Sequence, residues 1–232
     1  MNTADIPGTG GPFPHPRALF RDRRDAGRQL AGRLAGFAGR GDVLVLGVAR
    51  GGVPVAFEVA RALAAPLDVL IIRKLGMPGQ RELAMGAIAS GGVRVLNARI
   101  VRRIENAEAV IAEVAAAEQR ELERRETQYR DNRAASEVRG KVAIVVDDGL
   151  ATGASMRAAV LALRQRGAAQ VVVAVPVGSP EACAVLAAEA DELICLTAPM
   201  DFDAVGQAYD DFSQTTDDEV RALLAEAIAA TP

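Results

Sequence analysis

The chain has 232 residues, half of them apolar, which suffices for one domain with a sizeable core or for a core with a subdomain. Its formal net charge is −3 and only 3% of its residues are aromatic, whereas nucleic-acid binders usually present a basic field and stacking aromatics. No segment has the roughly 18 consecutive apolar residues of a membrane span. We therefore expect a cytoplasmic protein that binds neither nucleic acid nor membrane.

The first residues, MNTADIPGTGGPFPHP, are rich in glycine and proline and lack the apolar stretch of a secretory signal. They predict a flexible lead-in at 1–16. The only histidine, His15, lies there, so we do not expect a catalytic histidine. Cys183 and Cys195 have no metal-ligand spacing, and they favour small buried side chains in a reducing compartment over a disulfide.

Apolar runs and helical patterns alternate along the rest of the chain. Short apolar runs, typical of buried parallel strands, occur at 43–49, 67–72, 93–96, 142–146, 171–177 and 192–196. Helical spacing of apolar residues occurs at 22–37, 53–64, 105–130, 180–190 and 217–229, and a further helix begins near Ser155. This alternation predicts an α/β fold with an open, mainly parallel sheet flanked by helices.

Three segments have a less regular pattern. The arginine- and aspartate-rich start of the helix at 22–37 predicts a solvated face rather than a binding site. The glycine-rich segment 76–92 predicts a mobile loop with at most a short hairpin. The long helix at 105–130 carries the i,i+4 pairs Glu121–Arg125 and Glu126–Arg130, so it predicts a packing or dimer helix with a charged outer face.

The most informative segment is VAIVVDDGLATGASMRAAV at 142–160. Its apolar strand ends in two adjacent acids, Asp147 and Asp148, at the edge where open α/β sheets bind ligands. A loop of small residues then leads into a helix N-terminus, whose free N–H groups and dipole suit a phosphate. Acids that can hold hydroxyls beside a phosphate cradle predict a ribose 5-phosphate site. The alternative is an ordinary turn with solvated aspartates, which mutual repulsion disfavours.

A second strand end has a related pattern. The strand at 43–49 runs into the glycine-rich turn GVARGGVPVA. A turn without bulky side chains lets backbone N–H groups approach an anion, and Arg50 can add a bidentate contact to a phosphate. By itself this segment is equally compatible with a plain βα turn. Two such strand ends in one chain favour a shared site at the switch point of one sheet.

The segment at 142–160 resembles the phosphoribosyl pyrophosphate (PRPP) signature of type I phosphoribosyltransferases. Across 18–224 the chain is most similar to the bacterial stand-alone predicted phosphoribosyltransferases, through the matching stretches FRDR, RKLG, ERRETQYR and YDDFSQTTDDEV. The resemblance implies three parts, which are the lead-in, a transferase core with an inserted long helix, and a small hood. The lead-in would span 1–16 and the hood 201–232. The core would span 17–200 and would include the loop at 75–92 and the long helix at 105–130.

The resemblance also implies roles for the two strand ends. Asp147 and Asp148 would hold the ribose 2- and 3-hydroxyls and would contact Mg²⁺ through water or ligand oxygens. The 5-phosphate would lie against Gly149, Leu150, Ala151, Thr152, Gly153, Ala154 and Ser155. The pyrophosphate would lie against Ala49, Arg50, Gly51 and Gly52, and the peptide bond before Arg50 or Gly51 would be strained or cis.

Further residues are implied around these loops. Lys74 would contact the pyrophosphate, with a chance surface lysine as the alternative. Arg81, in the loop at 75–92, would cover the leaving group as part of a lid, with a solvated tip as the alternative. An aromatic and an amide among Tyr209, Phe212 and Gln214 would contact the acceptor base, although plain packing is the favoured interpretation of that segment.

The activity implied by the resemblance is transfer of ribose 5-phosphate from PRPP, with Mg²⁺, to a nitrogenous base or amine. Positioning and electrostatics would supply most of the catalysis. Ala151 stands where the 6-oxopurine enzymes carry an aspartate, which disfavours a hypoxanthine or guanine acceptor and leaves the acceptor unidentified. The alternatives are a non-catalytic PRPP or nucleotide sensor and a sugar-phosphate hydrolase. The family pattern suggests a homodimer, although no residue specifies one.

Overall fold

The computed structural model describes residues 18–230, except for the side chains of Arg81 and Glu82. The predicted lead-in at 1–16, with His15, lies outside the described residues. The strands within the described chain are β1 (Val43–Val48), β2 (Leu67–Leu70), β3 (Ile72–Met77), β4 (Gln80–Ala89), β5 (Val93–Leu96), β6 (Val142–Val146), β7 (Gln170–Val177) and β8 (Glu192–Thr197). The helices are α1 (Arg23–Arg33), α2 (Gly52–Leu63), α3 (Ala98–Val101), α4 (Ala107–Arg130), α5 (Ala154–Gln165), α6 (Pro180–Glu189) and α7 (Asp217–Ala229).

Side-chain caps define where several helices begin. Asp22 caps α1 by accepting a hydrogen bond from the Asp25 N–H, and Thr216 caps α7 in the same way. Ser179 caps α6, and Pro180 follows at the first helical position, where its missing N–H costs nothing. The predicted helices at 22–37, 53–64, 180–190 and 217–229 are thus confirmed to within a few residues, with a short 3₁₀ turn completing the first.

A five-stranded parallel sheet in the order β2–β1–β6–β7–β8 forms the centre of the molecule. The chain moves outward from β1 to β2 and then returns to β6 on the other side of β1, which makes the β1–β6 boundary the switch point. In register, Val45 lies opposite both Leu67 and Ile144. The predicted open, mainly parallel sheet flanked by helices is confirmed.

Helices cover both faces of this sheet, as the unbroken apolar strands require. Because side chains alternate between faces along a strand, Val43 and Val45 pack in one core while Leu44 and Leu46 pack in another. The first core includes apolar residues of α1, α2, α4 and α7, and the second includes residues of α5 and α6. Burial of two apolar layers is the main driving force for this arrangement.

The segment after β2 forms a second sheet, antiparallel and in the order β3–β4–β5. The predicted loop at 76–92 is therefore largely strand, and the hairpin that was its alternative is much longer than expected. Its glycines have specific roles: Gly79 turns the chain with φ 78°, and a Cβ on Gly86 would lie 2.2 Å from the Val95 carbonyl oxygen. Glycine here permits a tight turn and a close strand contact.

The long helix α4 begins two residues later than predicted and carries both expected ion pairs, Glu121–Arg125 at 2.8 Å and Glu126–Arg130 at 3.1 Å. The prediction of a charged outer face is wrong for Arg130, whose side chain is buried. Its Nε donates to Asp68 Oδ1 at 2.9 Å, which compensates the charge of a buried acid on β2. Of the helices in the described chain, none combines the length and apolarity that crossing a membrane would require.

Candidate functional site

Two turns meet at the switch point of the sheet, the ARGG turn (49–52) after β1 and the GLATGAS turn (149–155) after β6. Gly47 of β1 lies opposite Val146 of β6, so both strands end at the same edge. A Cβ on Gly51 would lie 2.1 Å from Asp148 Oδ2, and one on Gly52 would lie 2.5 Å from the Val146 carbonyl oxygen. The predicted convergence of the two strand ends is confirmed, and it depends on glycine at both positions.

The ARGG turn contains a cis peptide bond between Ala49 and Arg50, which confirms the expectation of a strained or cis bond before Arg50 or Gly51. The Arg50 side chain lies 3.5 Å, Nη1 to Oδ1, from Asp217 at the start of α7. The same Asp217 oxygen accepts a hydrogen bond of 2.7 Å from the Tyr129 hydroxyl. Among the described residues, the Arg50 side chain therefore has one long ion pair, and it is about one-third exposed.

The acid pair follows β6 directly, and each acid has one committed oxygen. Asp147 Oδ1 accepts the backbone N–H of Asp148 at 2.9 Å, and Asp148 Oδ2 accepts Arg23 Nε at 2.8 Å. Asp148 Oδ1 and Asp147 Oδ2 accept no hydrogen bond from the described residues. Since no buried side-chain polar atom in that part of the chain lacks a partner, neither oxygen is fully buried, and each is left to accept a donor from a ligand.

The electrostatics of the pair favour a bound cation or hydrogen-bond donor. Burial raises the pKa of the Asp147 carboxyl well above its usual range, and the negative charge of Asp148 raises it further. A ligand that donates hydrogen bonds or adds positive charge would stabilise the ionised pair. The two acids are thus arranged to gain from a polyhydroxyl ligand with an associated cation.

The GLATGAS turn is anchored at one point and open beyond it. The Leu150 N–H donates to the Val177 carbonyl, and the Leu150 carbonyl accepts the Ser179 N–H, both at 2.9 Å. The Ser179 hydroxyl donates to the Ala151 carbonyl at 2.8 Å. Beyond this anchor, four backbone N–H groups donate to no atom of the described chain, those of Ala151, Thr152, Gly153 and Ser155. They precede or begin the 12-residue helix α5, a combination that suits an anion.

The roles predicted for Lys74 and Arg81 stay predictions. Lys74 lies within β3 of the second sheet, exposed, and forms no ion pair with any residue that the structure describes. Because β2 ends at Leu70 and β3 begins at Ile72, Lys74 lies within a strand rather than in a loop. The Arg81 side chain lies outside the described residues, so its role in a lid stays a prediction.

Arg23 is the site residue that the sequence analysis missed. Its side chain is only 11% exposed, so the predicted solvated face is wrong at this position. Nε donates to Asp148, Nη1 donates to the Ser213 carbonyl at 2.7 Å, and the guanidinium lies 3.9 Å from the Phe212 ring centroid. The N-cap Asp22 makes Arg23 the first residue of α1, but no sequence signal indicates that it meets Asp148.

The aromatic residues of the C-terminal segment form packing contacts. Tyr209 is buried between Phe20 and Phe212, with ring centroids 5.4 Å and 5.1 Å away. Its hydroxyl donates to the Asp148 backbone carbonyl at 2.6 Å, and burial raises its pKa. The favoured interpretation of plain packing is thus confirmed for Tyr209, which supports the backbone of the acid pair.

Known proteins share this sequence and architecture. The family model described as "Phosphoribosyl transferase domain" matches residues 21–211. Two Mycobacterium tuberculosis proteins, "Putative phosphoribosyl transferase Rv0571c" and "Putative phosphoribosyl transferase MT0597", are each 53% identical over 206 residues, which is 89% of this chain and 46% of theirs. This chain therefore spans about half the length of these curated relatives.

A solved structure agrees with that assignment. The protein TT1426 from Thermus thermophilus is 46% identical, and the match covers 89% of this chain and 98% of TT1426 with a TM-score of 0.79. The family match spans the ARGG turn, the acid pair and the GLATGAS turn, so the site lies within the matched region. The chain belongs to the phosphoribosyl transferase domain family.

Proposed function

We propose that this protein binds PRPP with Mg²⁺, transfers its ribose 5-phosphate to a nitrogenous base or amine, and releases pyrophosphate. The main support for this proposal is the position of Asp147 and Asp148 between two turns at one edge of the sheet, where each acid keeps one oxygen free of protein hydrogen bonds from the described residues. No single feature of this kind specifies a sugar phosphate. Their combination matches the three parts of PRPP, which are a diol, a terminal phosphate and a pyrophosphate.

Each part of PRPP has a proposed contact. The accessible oxygens of Asp147 and Asp148 accept the ribose hydroxyls. The GLATGAS turn holds the 5-phosphate, because its unpaired N–H groups and the α5 dipole stabilise negative charge. The ARGG turn holds the pyrophosphate, where Arg50 adds a charge-assisted hydrogen bond. Lys74 remains a predicted pyrophosphate contact, and Arg81 remains a predicted lid residue over the leaving group.

The acid pair fits Mg²⁺ as part of a shared site rather than as a complete cage. Among the described residues, no group of three or more histidine, cysteine or acidic side chains is arranged to hold a metal ion. Mg²⁺ usually keeps several waters and binds through one or two carboxylates plus substrate phosphates, and Asp147 and Asp148 suit that pattern. When bound, the ion would neutralise charge that develops on the leaving pyrophosphate.

The proposed reaction needs no covalent enzyme intermediate. The nitrogen lone pair of the acceptor forms a bond to ribose C1 as the bond from C1 to the pyrophosphate oxygen breaks. The electron pair leaves with pyrophosphate, and the acceptor nitrogen loses its proton to the released pyrophosphate or to water. The chain contributes by holding the diol and both phosphate groups in fixed positions, so that electrostatics and positioning lower the barrier. Ala151 carries no titratable group, which disfavours acceptors that require proton transfer at that position.

Incubation of the protein with PRPP, Mg²⁺ and a panel of purine, pyrimidine and amine acceptors tests this proposal through pyrophosphate release. We expect release with at least one acceptor. Binding of PRPP with no release would favour the non-catalytic sensor, and no binding would refute the proposal. A homodimer in the cytoplasm is part of the same proposal, and light scattering and cell fractionation test those two points.

The ribose contacts are tested separately by replacing Asp147 and Asp148 with asparagine. We expect the affinity for PRPP to fall with a smaller effect on the melting temperature, because each asparagine has nearly the shape of the acid it replaces and its amide oxygen can still accept the hydrogen bonds from Arg23 and from the backbone N–H at position 148. Asp201→Asn, at an exposed turn position, is the control and should bind as the wild type does. Unchanged affinity of the double variant in calorimetry would exclude these acids as ribose ligands.

A further inference from the structure

Arg23 lies where the acid pair, the ARGG turn and the C-terminal segment meet. Its Nε bonds to Asp148, and a Cβ placed on Gly51 would lie 3.3 Å from that same nitrogen. Its Nη1 bonds to the Ser213 carbonyl, and its guanidinium stacks on Phe212. Three directional contacts therefore fix one cation, and only one of them involves the PRPP signature.

The contact with Asp148 is selective for one carboxylate oxygen. Arg23 occupies Oδ2, while Oδ1 accepts no hydrogen bond from the described residues. The Asp148 side chain is only 16% exposed, and the bond from Arg23 restricts rotation of its carboxylate. Holding Oδ2 thus determines where Oδ1 points. A planar guanidinium suits this task, since its donors have a rigid geometry.

We propose that Arg23 is a positioning residue for PRPP. It orients Asp148 so that Oδ1 accepts a ribose hydroxyl, and its bonds to Ser213 and Phe212 couple that orientation to the segment 209–216. This inference rests on the proposed function. It goes further by assigning a role to a residue of α1 that lies 125 positions from Asp148 in the sequence.

A competing explanation makes Arg23 a purely structural link between α1 and the segment 209–216. In that case its replacement would lower stability but would not act through Asp148. A lysine would also distinguish the two roles. It restores the charge and one donor near Asp148, but it cannot form the second directed bond to Ser213 and stack at the same time.

The test measures binding of PRPP with Mg²⁺ by calorimetry, together with melting temperature, in the full chain. The variants are Arg23→Gln, Arg23→Lys, Asp148→Asn and the double variant Arg23→Gln/Asp148→Asn. The control is Arg24→Gln on the same helix, because Arg24 pairs with the buried Glu58 at 2.6 Å, and Glu58 retains two other arginine partners. That change removes an ion pair of α1 without approaching the site.

We expect Arg23→Gln to weaken PRPP binding by about tenfold or more, the size of one charge-assisted hydrogen bond. Arg23→Lys should recover part of this loss, and Arg24→Gln should bind as the wild type does. In the Asp148→Asn background, loss of Arg23 should change affinity by less than about twofold, because the acid through which it acts is gone.

Two results would overturn the inference while leaving the proposed function intact. One is unchanged affinity in Arg23→Gln when the wild type binds PRPP. The other is an equal loss of affinity with and without the Asp148→Asn change. If Arg23→Gln does not fold, the partial loss expected of Arg23→Lys decides the matter. Failure of the wild-type protein to bind PRPP would instead refute the proposed function and the role of Arg23 with it.

Discussion

Replacement of Gly51 by alanine separates binding from folding at the contact of the two turns. Gly51 has ordinary helical dihedrals, φ −59° and ψ −32°, so alanine adds no backbone strain. Its Cβ would lie 2.1 Å from Asp148 Oδ2 and 2.8 Å from Asp148 Cγ. Both are atoms of a side chain that can rotate, so the carboxylate must move while the backbone stays in place.

The size of the effect follows from these distances. The Asp148 oxygen must retreat by about 1 Å to clear the new methyl group, which breaks its 2.8 Å bond to Arg23. A hydrogen bond between charged groups contributes about 1.5–3 kcal/mol. Because this pair is partly exposed, we expect a stability loss of about 1–2 kcal/mol, or about 2–8 °C in melting temperature. Binding of PRPP should weaken by about tenfold or more.

Gly52→Ala provides the contrast and Gly32→Ala the control. The Cβ at position 52 would lie 2.5 Å from the Val146 carbonyl oxygen and 2.8 Å from Asp147 Cα. These backbone atoms cannot rotate away, so overpacking should cost about 1–3 kcal/mol or more. At Gly32, within α1, a Cβ has no neighbour within 4 Å, and alanine should stabilise the helix by up to about 1 kcal/mol.

Thermal unfolding by circular dichroism and PRPP calorimetry on the three variants supply both readouts. We expect Gly51→Ala to lose mainly affinity and Gly52→Ala to lose mainly stability. Wild-type behaviour of Gly51→Ala in both assays would show that Asp148 does not contact the ARGG turn in solution. A larger stability loss at position 51 than at position 52 would show that the distinction between side-chain and backbone obstruction is wrong.

Two further predictions concern the supporting structure. Arg130→Met leaves the buried Asp68 without its cation and should lower the free energy of unfolding by about 3–5 kcal/mol. The control is Arg124→Gln, at a side chain 57% exposed, which should lower it by less than about 1 kcal/mol. Similar losses for the two variants in urea denaturation would contradict this prediction. Burial and then the hydrogen bond to Asp217 raise the pKa of Tyr129 to about 12, above the value of about 10 expected in the unfolded chain. The stabilisation by the neutral phenol is therefore complete below pH 10 and is lost as the pH rises to about 12. Tyr129→Phe should therefore flatten the decline of the urea midpoint over that pH range. Superimposable pH profiles of the wild type and the variant would contradict the prediction.

The main sheet could be predicted because four of its five strands are buried on both faces. The unbroken apolar runs of β1 and β6 are only six and five residues long, which favours a buried strand over a helix segment, and the order of strands then places their carboxyl ends together. The hairpin at 72–89 could not be predicted, because its glycines favour a loop when only the sequence is considered. The need for glycine at position 86 arises from its distance to the Val95 carbonyl oxygen, which exists only after the strands pair.

The candidate site also has a part that could be predicted from the sequence and a part that could not. Asp147, Asp148 and the two turns could be predicted because each lies directly after a buried strand. Arg23 could not, since the sequence RDRRD has the same composition as any solvated helix start, and its partner lies 125 residues away. The register of α1 is set locally by its N-cap, but the identity of the residue that it meets is set by the packing of α1 on α2 and by the course of the C-terminal segment.

The two ion pairs at this site differ in length and exposure, so they should respond differently to a bound anion. Arg50 and Asp217 are 3.5 Å apart with side chains 31% and 39% exposed, whereas Arg23 and Asp148 are 2.8 Å apart with side chains 11% and 16% exposed. A long, hydrated pair contributes little and exchanges its partner at small cost. A short, shielded pair is directional and costs more to break. Under the proposed function, the more exposed Arg50 is the cation that moves to the pyrophosphate, and the shielded Arg23 is the cation that orients Asp148.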